Sequence, residues 1–289
     1  MLEVELILLI LAFIVTIIAV ISDIKTTEVP DYANYFLIFS ALSLRFLYSL
    51  ATKDWSFTFA VLISFPMIFI LALMMYKLKQ WGGGDAKLLM SLSIAFATYP
   101  SFLLEFFTPR LLFPFPITLF TNILIIGAAY SLIYAASLAI KNRKKFTKPL
   151  IEAIRSTRIT QIKILSVIIL AVILLIIMNL PKIILIIAIV SPIILFYVYV
   201  FIKTVEKICL IKIIPVGKLM EGDLIIENLF YKNKLIHKKS QELTEKQLAL
   251  IIKANIKEVK IKQGIVFTPV FLLSLIASLI FGNLLLYLI

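Results

Sequence analysis

Long apolar blocks, such as 7–21 and 162–177, constrain this chain more than any other feature. A helix rises about 1.5 Å per residue and the hydrocarbon core of a bilayer is roughly 30 Å thick, so apolar runs near 18 residues or longer read as membrane spans. Hydrophobic residues fill 62% of the 289 positions and charged residues 16%, against about 45–50% and 25% in soluble domains. Such a chain does not need one large water-excluded core, because lipid covers most of its apolar surface.

The pattern predicts eight spans, at about 4–22, 33–51, 57–76, 86–107, 117–140, 162–180, 182–202 and 265–288. Pro181 is expected to sit in a tight turn between two of them. The expected fold class is an all-α polytopic membrane protein of about eight transmembrane helices with a small α+β cytoplasmic module. Orientation follows from Lys and Arg in short loops. Segment 141–163 carries eight basic residues against one acid, Glu152, and segment 77–87 carries Lys77, Lys79 and Lys87. The alternate loops hold only Lys53, Arg110 and Lys182. The rich loops share one parity, which puts them inside and the N-terminus outside. No cleavable signal peptide is expected, since Glu3 and Glu5, not a basic leader, precede the first apolar block.

The chain thus divides into 1–140, a membrane domain with both candidate aspartates; 141–202, a basic cytoplasmic loop and further spans; 203–264, the module; and 265–289, a last span. Within 203–264, Thr244-Glu245-Lys246-Gln247 fits a capping box opening a helix to about Lys253, and 259–261 reads as a strand. The net charge of +13 suits anionic lipid, which lysines on the cytoplasmic side meet, and no nucleic acid partner is expected. With one cysteine, Cys209, and one histidine, His237, no internal disulfide forms and a Cys/His zinc site is excluded. No metal or cofactor is expected.

Carboxylates near the spans are few: Asp23, Glu28, Asp31, Asp54, Asp85 and Glu105. Such groups are costly at a membrane and mark function by default. Asp23 follows the first apolar block, at a helix C-terminus where the dipole disfavours negative charge. Asp85 closes Trp81-Gly82-Gly83-Gly84-Asp85-Ala86-Lys87. An Asp there is also a good N-cap, but a cap alone does not account for three consecutive glycines, which permit unusual backbone angles and close approach. Asp23 ends the first span and Asp85 begins the fourth, so both fall on the same side at similar depth. Two close carboxylates in apolar surroundings share a proton and supply a general acid and a general base.

Gly82-x-Gly84-Asp85 resembles the motif of the GxGD membrane aspartic peptidases. Asp23-Ile24-Lys25 with Pro30, together with Gly82-Gly83-Gly84-Asp85-Ala86-Lys87-Leu88, resembles their archaeal prepilin and preflagellin peptidase branch. The resemblance implies Asp23 and Asp85 as catalytic residues, and type IV pilin-like precursors as substrates, cut on the cytoplasmic side to release a basic leader. Bacterial members carry a cysteine domain for zinc and many N-methylate the product; this chain lacks those cysteines, so peptidase activity without N-methyltransferase activity is expected. Segment 203–264 with Gly264 to Pro269 resembles an extension of some archaeal members. Lys25 and Lys87, each two residues beyond an aspartate, are candidates to hold its charge or the substrate backbone, with ordinary interfacial lysines as the alternative. Glu28 and Asp31 are candidate contacts for a basic leader, or solvated loop acids. Trp81 is expected to anchor at the interface. The competing readings are a carboxylate-dependent ion or proton transporter and a non-catalytic pilus assembly factor.

Overall fold

The computed structural model describes residues 2–178, 181–232, 234–239, 241–254, 256–262 and 264–287. The protein is mostly helical with a small sheet region. Among the described residues six helices are long and apolar enough to cross a membrane: α1 (Leu2–Thr26), α2 (Asp31–Thr52), α3 (Ser56–Lys77), α5 (Phe115–Lys141), α7 (Arg158–Ile177) and α8 (Lys182–Ile208). Two shorter helices accompany them, α4 (Gly83–Ala95) and the apolar α10 (Thr268–Phe281). The remaining helices are α6 (Arg143–Ser156) and α9 (Glu245–Lys253). Pro181 is the N-cap of α8, four residues after α7 ends; Leu180, and the last residue of the expected span 265–288, lie outside the described residues.

The chain folds as two units, residues 1–131 with 265–289, and residues 132–264, the division falling within α5. In the first unit the buried faces repeat every three to four residues. On α1 the buried stripe is Glu5, Leu8, Ala12, Val15, Ala19 and Asp23; on α2 it is Ala33, Leu37, Ala41, Arg45 and Ser49. Alanine at these positions lets backbones approach, which is how helices associate when lipid removes the hydrophobic drive between them. The two acids of the α1 stripe therefore point inward at opposite ends of one helix.

Helix α4 is the centre of this unit. It packs on α1, α2 and α3, and Leu88, Leu89, Ser91, Leu92, Ser93, Ile94 and Ala95 are all buried. A helix buried on every side shows no amphipathic stripe. The expected span 86–107 does not form as one helix. At about 1.5 Å per residue the 13 residues of α4 fall well short of the bilayer. The helix stops because its end is capped from elsewhere. Arg45, 1% exposed, donates from Nε to the Ile94 carbonyl, from Nη2 to the Ala95 carbonyl and from Nη1 to the Phe57 carbonyl, at 2.8–3.0 Å. Its ring-face contact with Phe57 lies at 4.0 Å. Buried Glu5 is coupled electrostatically to Arg45, and its Oε2 accepts from the Ser101 N–H and hydroxyl. Pro100 follows, and residues 101–105 form only a 3-10 turn.

Helix α10 is docked on α5 and on the loops by side chains. Asn122 donates to the Ser278 hydroxyl and the Gly282 carbonyl, and its Oδ1 accepts from the Leu284 N–H. Tyr99 donates to the Leu279 carbonyl and Tyr130 to the Val266 carbonyl. Gly282 has φ +75°, and a Cβ there would strike the Arg110 backbone, with which it forms a bridge.

The second unit holds α6, α7, α8 and a small α+β module. The segment 141–163, expected as a basic loop, is largely the helix α6. Phe146 and Leu150 supply an apolar edge that packs with Val205 and Phe201 of α8, while Arg143, Lys144, Lys145 and Lys148 stay exposed. In the module, β1 (Ile211–Pro215), β6 (Glu258–Lys262), β2 (Leu224–Ile225) and β5 (Gln241–Glu242) form an antiparallel sheet in that order, with β3 (Leu229–Tyr231) and β4 (Lys234–His237) as a separate hairpin. Ile225, Leu243, Ile251, Val259 and Ile261 form its core. Thr244 caps α9 as the capping box predicted: its hydroxyl accepts from Gln247 N–H, and the Gln247 side chain accepts from Thr244 N–H.

Arg45→Met should lower the stability of the lipid-reconstituted protein by about 3–5 kcal/mol, the cost of leaving a buried charge and carbonyls without their partner. Thermal unfolding measures it; a variant as stable as the parent would contradict the capping role.

Candidate active site

The site is built at one end of the first unit by the last turn of α1, the link to α2, and the start of α4. Thr27, with φ +58°, ends α1, and its N–H donates to the Asp23 carbonyl at 2.9 Å. Pro30 is the N-cap of α2. Asp23, Thr27, Glu28, Val29, Pro30, Asp31, Gly82, Gly83, Gly84 and Asp85 together line a cleft of about 400 Å³. The structure thus brings the two aspartates to one cavity.

Their environments differ. Asp23 is 8% exposed. Its Oδ2 accepts three hydrogen bonds from the start of α10: from Phe267 N–H and Thr268 N–H, each at 3.2 Å, and from the Thr268 hydroxyl at 2.9 Å. Among the described residues its Oδ1 takes no donor. The negative end of α1 is an unfavourable place for a carboxylate, and the positive end of α10 offsets it. Asp85 is half-buried, in the first turn of α4 and one residue ahead of the apolar stretch that begins at Ala86. Its Oδ2 accepts from the Gly82 N–H at 3.2 Å, the reach-back half of a capping box.

The glycines have distinct jobs. Gly82 is the N-cap of α4 in extended backbone. Gly84 lies against the link between α1 and α2: a Cβ on it would come 2.8 Å from the Val29 Cβ. That contact sets how near the two aspartate-bearing segments approach. Neither lysine pairs with an aspartate of the cleft floor. Lys87 forms an ion pair with Asp31 at 2.6 Å, which ties α4 to α2, and Lys25 is exposed and does not line the cleft. Of the two acids expected to contact a basic leader, Asp31 is therefore already partnered and Glu28 lies outside that ion pair.

Trp81 is not an interface anchor. It is 7% exposed and packs against the rings of Phe120, Phe267 and Phe271 at 5.6–6.2 Å. The glycine run needs a fixed base, and this aromatic cluster supplies it. Sequence reasoning missed Phe267, Thr268 and Val29. A signal for Thr268 existed in Thr268-Pro269, since Pro is favoured at the first helical position, but nothing linked it to an aspartate 245 positions away.

Residues 10–132 match the model of the type IV leader peptidase family. That segment holds both aspartates and all three glycines. The resemblance drawn from the two motifs, to a prepilin peptidase of the GxGD type, is borne out there. A prepilin peptidase, EppA, from Methanothermobacter thermautotrophicus is 25% identical over 165 residues, which are 55% of this chain and 43% of that protein. The chain thus aligns with less than half the length of this curated relative. No solved structure matches the chain. The helix α10 that donates to Asp23 lies outside the segment matched by the family model.

Gly84→Ala should cost about 1–3 kcal/mol through overpacking against Val29. Combining it with Val29→Gly should recover most of the loss in a thermal melt; no recovery would mean that this contact does not limit the approach.

Proposed function

We propose that the chain is a membrane aspartic endopeptidase that removes the short basic leader of type IV pilin-like precursors, prepilins or preflagellins, at the cytoplasmic face. The observation that carries this reading is the meeting of Asp23 and Asp85 in one cleft, within the segment that matches the leader peptidase family. The curated relative, a prepilin peptidase by name, points to the same substrates.

The environments of the two carboxyls suggest their roles. Asp23, whose Oδ2 is occupied by three donors, acts as base through its other oxygen. Asp85, which takes one donor, the Gly82 N–H, where Asp23 takes three, holds the proton. A water oxygen bonds to the peptide carbonyl carbon as Asp23 takes one of its protons, and Asp85 gives its proton to the carbonyl oxygen. In the resulting diol the C–N bond then breaks. The nitrogen leaves with the proton from Asp23, and a diol hydroxyl returns a proton to Asp85. Both residues are restored. Glu28 attracts the basic leader at the cleft mouth.

The wider arrangement in this reading keeps eight spans, with α4 and α10 as the short ones, the N-terminus outside, and the cleft and the 203–264 module cytoplasmic. Basic loops and the exposed lysines of α6 face anionic lipid. Residues 1–140 carry both catalytic aspartates, and the reaction in this reading is cleavage without N-methylation of the product.

Asp23→Asn and Asp85→Asn should each abolish cleavage of a prepilin-like precursor by the reconstituted protein, and a variant that still cuts would overturn the reading. Glu28→Gln should raise KM for precursors with Lys- or Arg-rich leaders, and do little for a leader with its basic residues replaced.

A further inference from the structure

The helix α10 is separated from Asp23 by more than 240 residues of sequence, lies outside the matched family segment, and yet supplies every hydrogen bond that the described residues make to the Asp23 carboxylate. Resting on the peptidase reading, we propose that Thr268 is a positioning residue for the reaction: it holds Oδ2 of Asp23 so that Oδ1 is the oxygen left to take the proton from water.

Three observations support this assignment. First, a carboxylate on one flexible bond pair has two equivalent oxygens, and only a directed set of donors makes them different. Here the two backbone N–H groups at the positive end of α10 and the Thr268 hydroxyl all converge on the same atom. The hydroxyl makes the shortest of the three bonds, 2.9 Å against 3.2 Å. Secondly, Thr268 is fully buried and spends its hydroxyl on Asp23. The usual local use of a threonine hydroxyl, back-bonding to a carbonyl four residues earlier, is what Thr16 makes with Ala12 and Thr204 with Val200.

Thirdly, the start of α10 is itself held from several directions. Tyr130 binds the Val266 carbonyl. Phe267 packs so closely on Gly127 of α5 that a Cβ there would come 2.7 Å from its ring. The Phe267 ring also meets Trp81, the residue immediately before the glycine run that carries Asp85. One aromatic cluster thus sets the start of α10 and the start of α4, and through them both aspartates. A donor that misplaces a reacting atom by about 1 Å can cost about 100-fold in rate, so a residue that fixes the oxygen matters to kcat without touching substrate.

A threonine that only tied down the end of α10 would affect stability alone. The test compares the parent, Thr268→Val, Thr268→Ser and Asp23→Asn in lipid nanodiscs, with cleavage of a prepilin-like precursor and the infrared carboxylate bands as readouts. Thr268→Val keeps shape and loses the hydroxyl; kcat should fall by about 10- to 100-fold with KM nearly unchanged. Thr268→Ser, which keeps the hydroxyl, should recover most of the rate. The band that disappears in Asp23→Asn should shift in Thr268→Val and stay in place in Thr268→Ser. Gly127→Ala, which pushes Phe267 without touching Asp23, should lower kcat in the same direction.

Thr268→Val with full kcat and an unmoved band overturns the assignment, even where the melting temperature drops. A parent that cuts no precursor, or an Asp23→Asn protein that cuts normally, sinks the peptidase reading instead and the catalytic part of the inference with it. The two failures are therefore told apart by the Asp23→Asn control.

Discussion

Two short helices, α4 and α10, end in apolar surroundings, and the first unit is organised by how those ends are satisfied. A helix leaves carbonyls unpaired at one end and N–H groups at the other, and hydrocarbon offers them no water. Arg45 of α2 caps the carbonyl end of α4. Asn122 of α5 takes both the Gly282 carbonyl and the Leu284 N–H at the end of α10. Asp23 of α1 takes the N–H groups at its start. Each seal is a polar side chain from a long helix reaching a short one, so the long helices cannot slide or rotate without exposing backbone groups.

The candidate site is one of these seals. The acid near the C-terminus of α1 satisfies α10 and also lines a cleft shared with Asp85. Its partner at the other end of the same stripe, Glu5, is bound to Ser101 and coupled to Arg45. Both acids of the α1 stripe take their donors on one oxygen, Glu5 on Oε2 from Ser101 and Asp23 on Oδ2 from the start of α10. What separates them is the group each faces: Asp23 shares a cleft with a second carboxyl, Asp85, whereas Glu5 is coupled to the Arg45 guanidinium.

Close approach is the other constraint. Gly84 against Val29 and Gly127 against Phe267 are places where a single methyl group has no room. The first brings the segments of Asp23 and Asp85 together, and the second presses the start of α10 into place. The glycine triplet was visible as an oddity beside a membrane span. Its reason is specific at one position: Gly84 lets Val29 in, while Gly82 donates to Asp85 through a backbone N–H that any residue but proline would supply.

Hydrophobic runs, the capping box at Thr244 and the paired aspartate motifs are all local patterns. They by themselves determined a multi-helix membrane protein with a small mixed module and two candidate acids. They determined too much in 86–107, where an apolar run suggested one long helix. A side chain from α2 ends that helix at Ala95, and hydropathy does not register where a distant guanidinium will sit. They also misplaced Trp81, because an aromatic next to a span looks the same whether it meets headgroups or Phe267. Only the tertiary structure decided that the last helix donates to Asp23 and that Lys87 pairs with Asp31, not with its neighbour Asp85. Those pairings depend on packing across 245 and 56 residues of chain, and hydrogen-bond geometry at that range is fixed by how helices meet, not by any spacing along one of them.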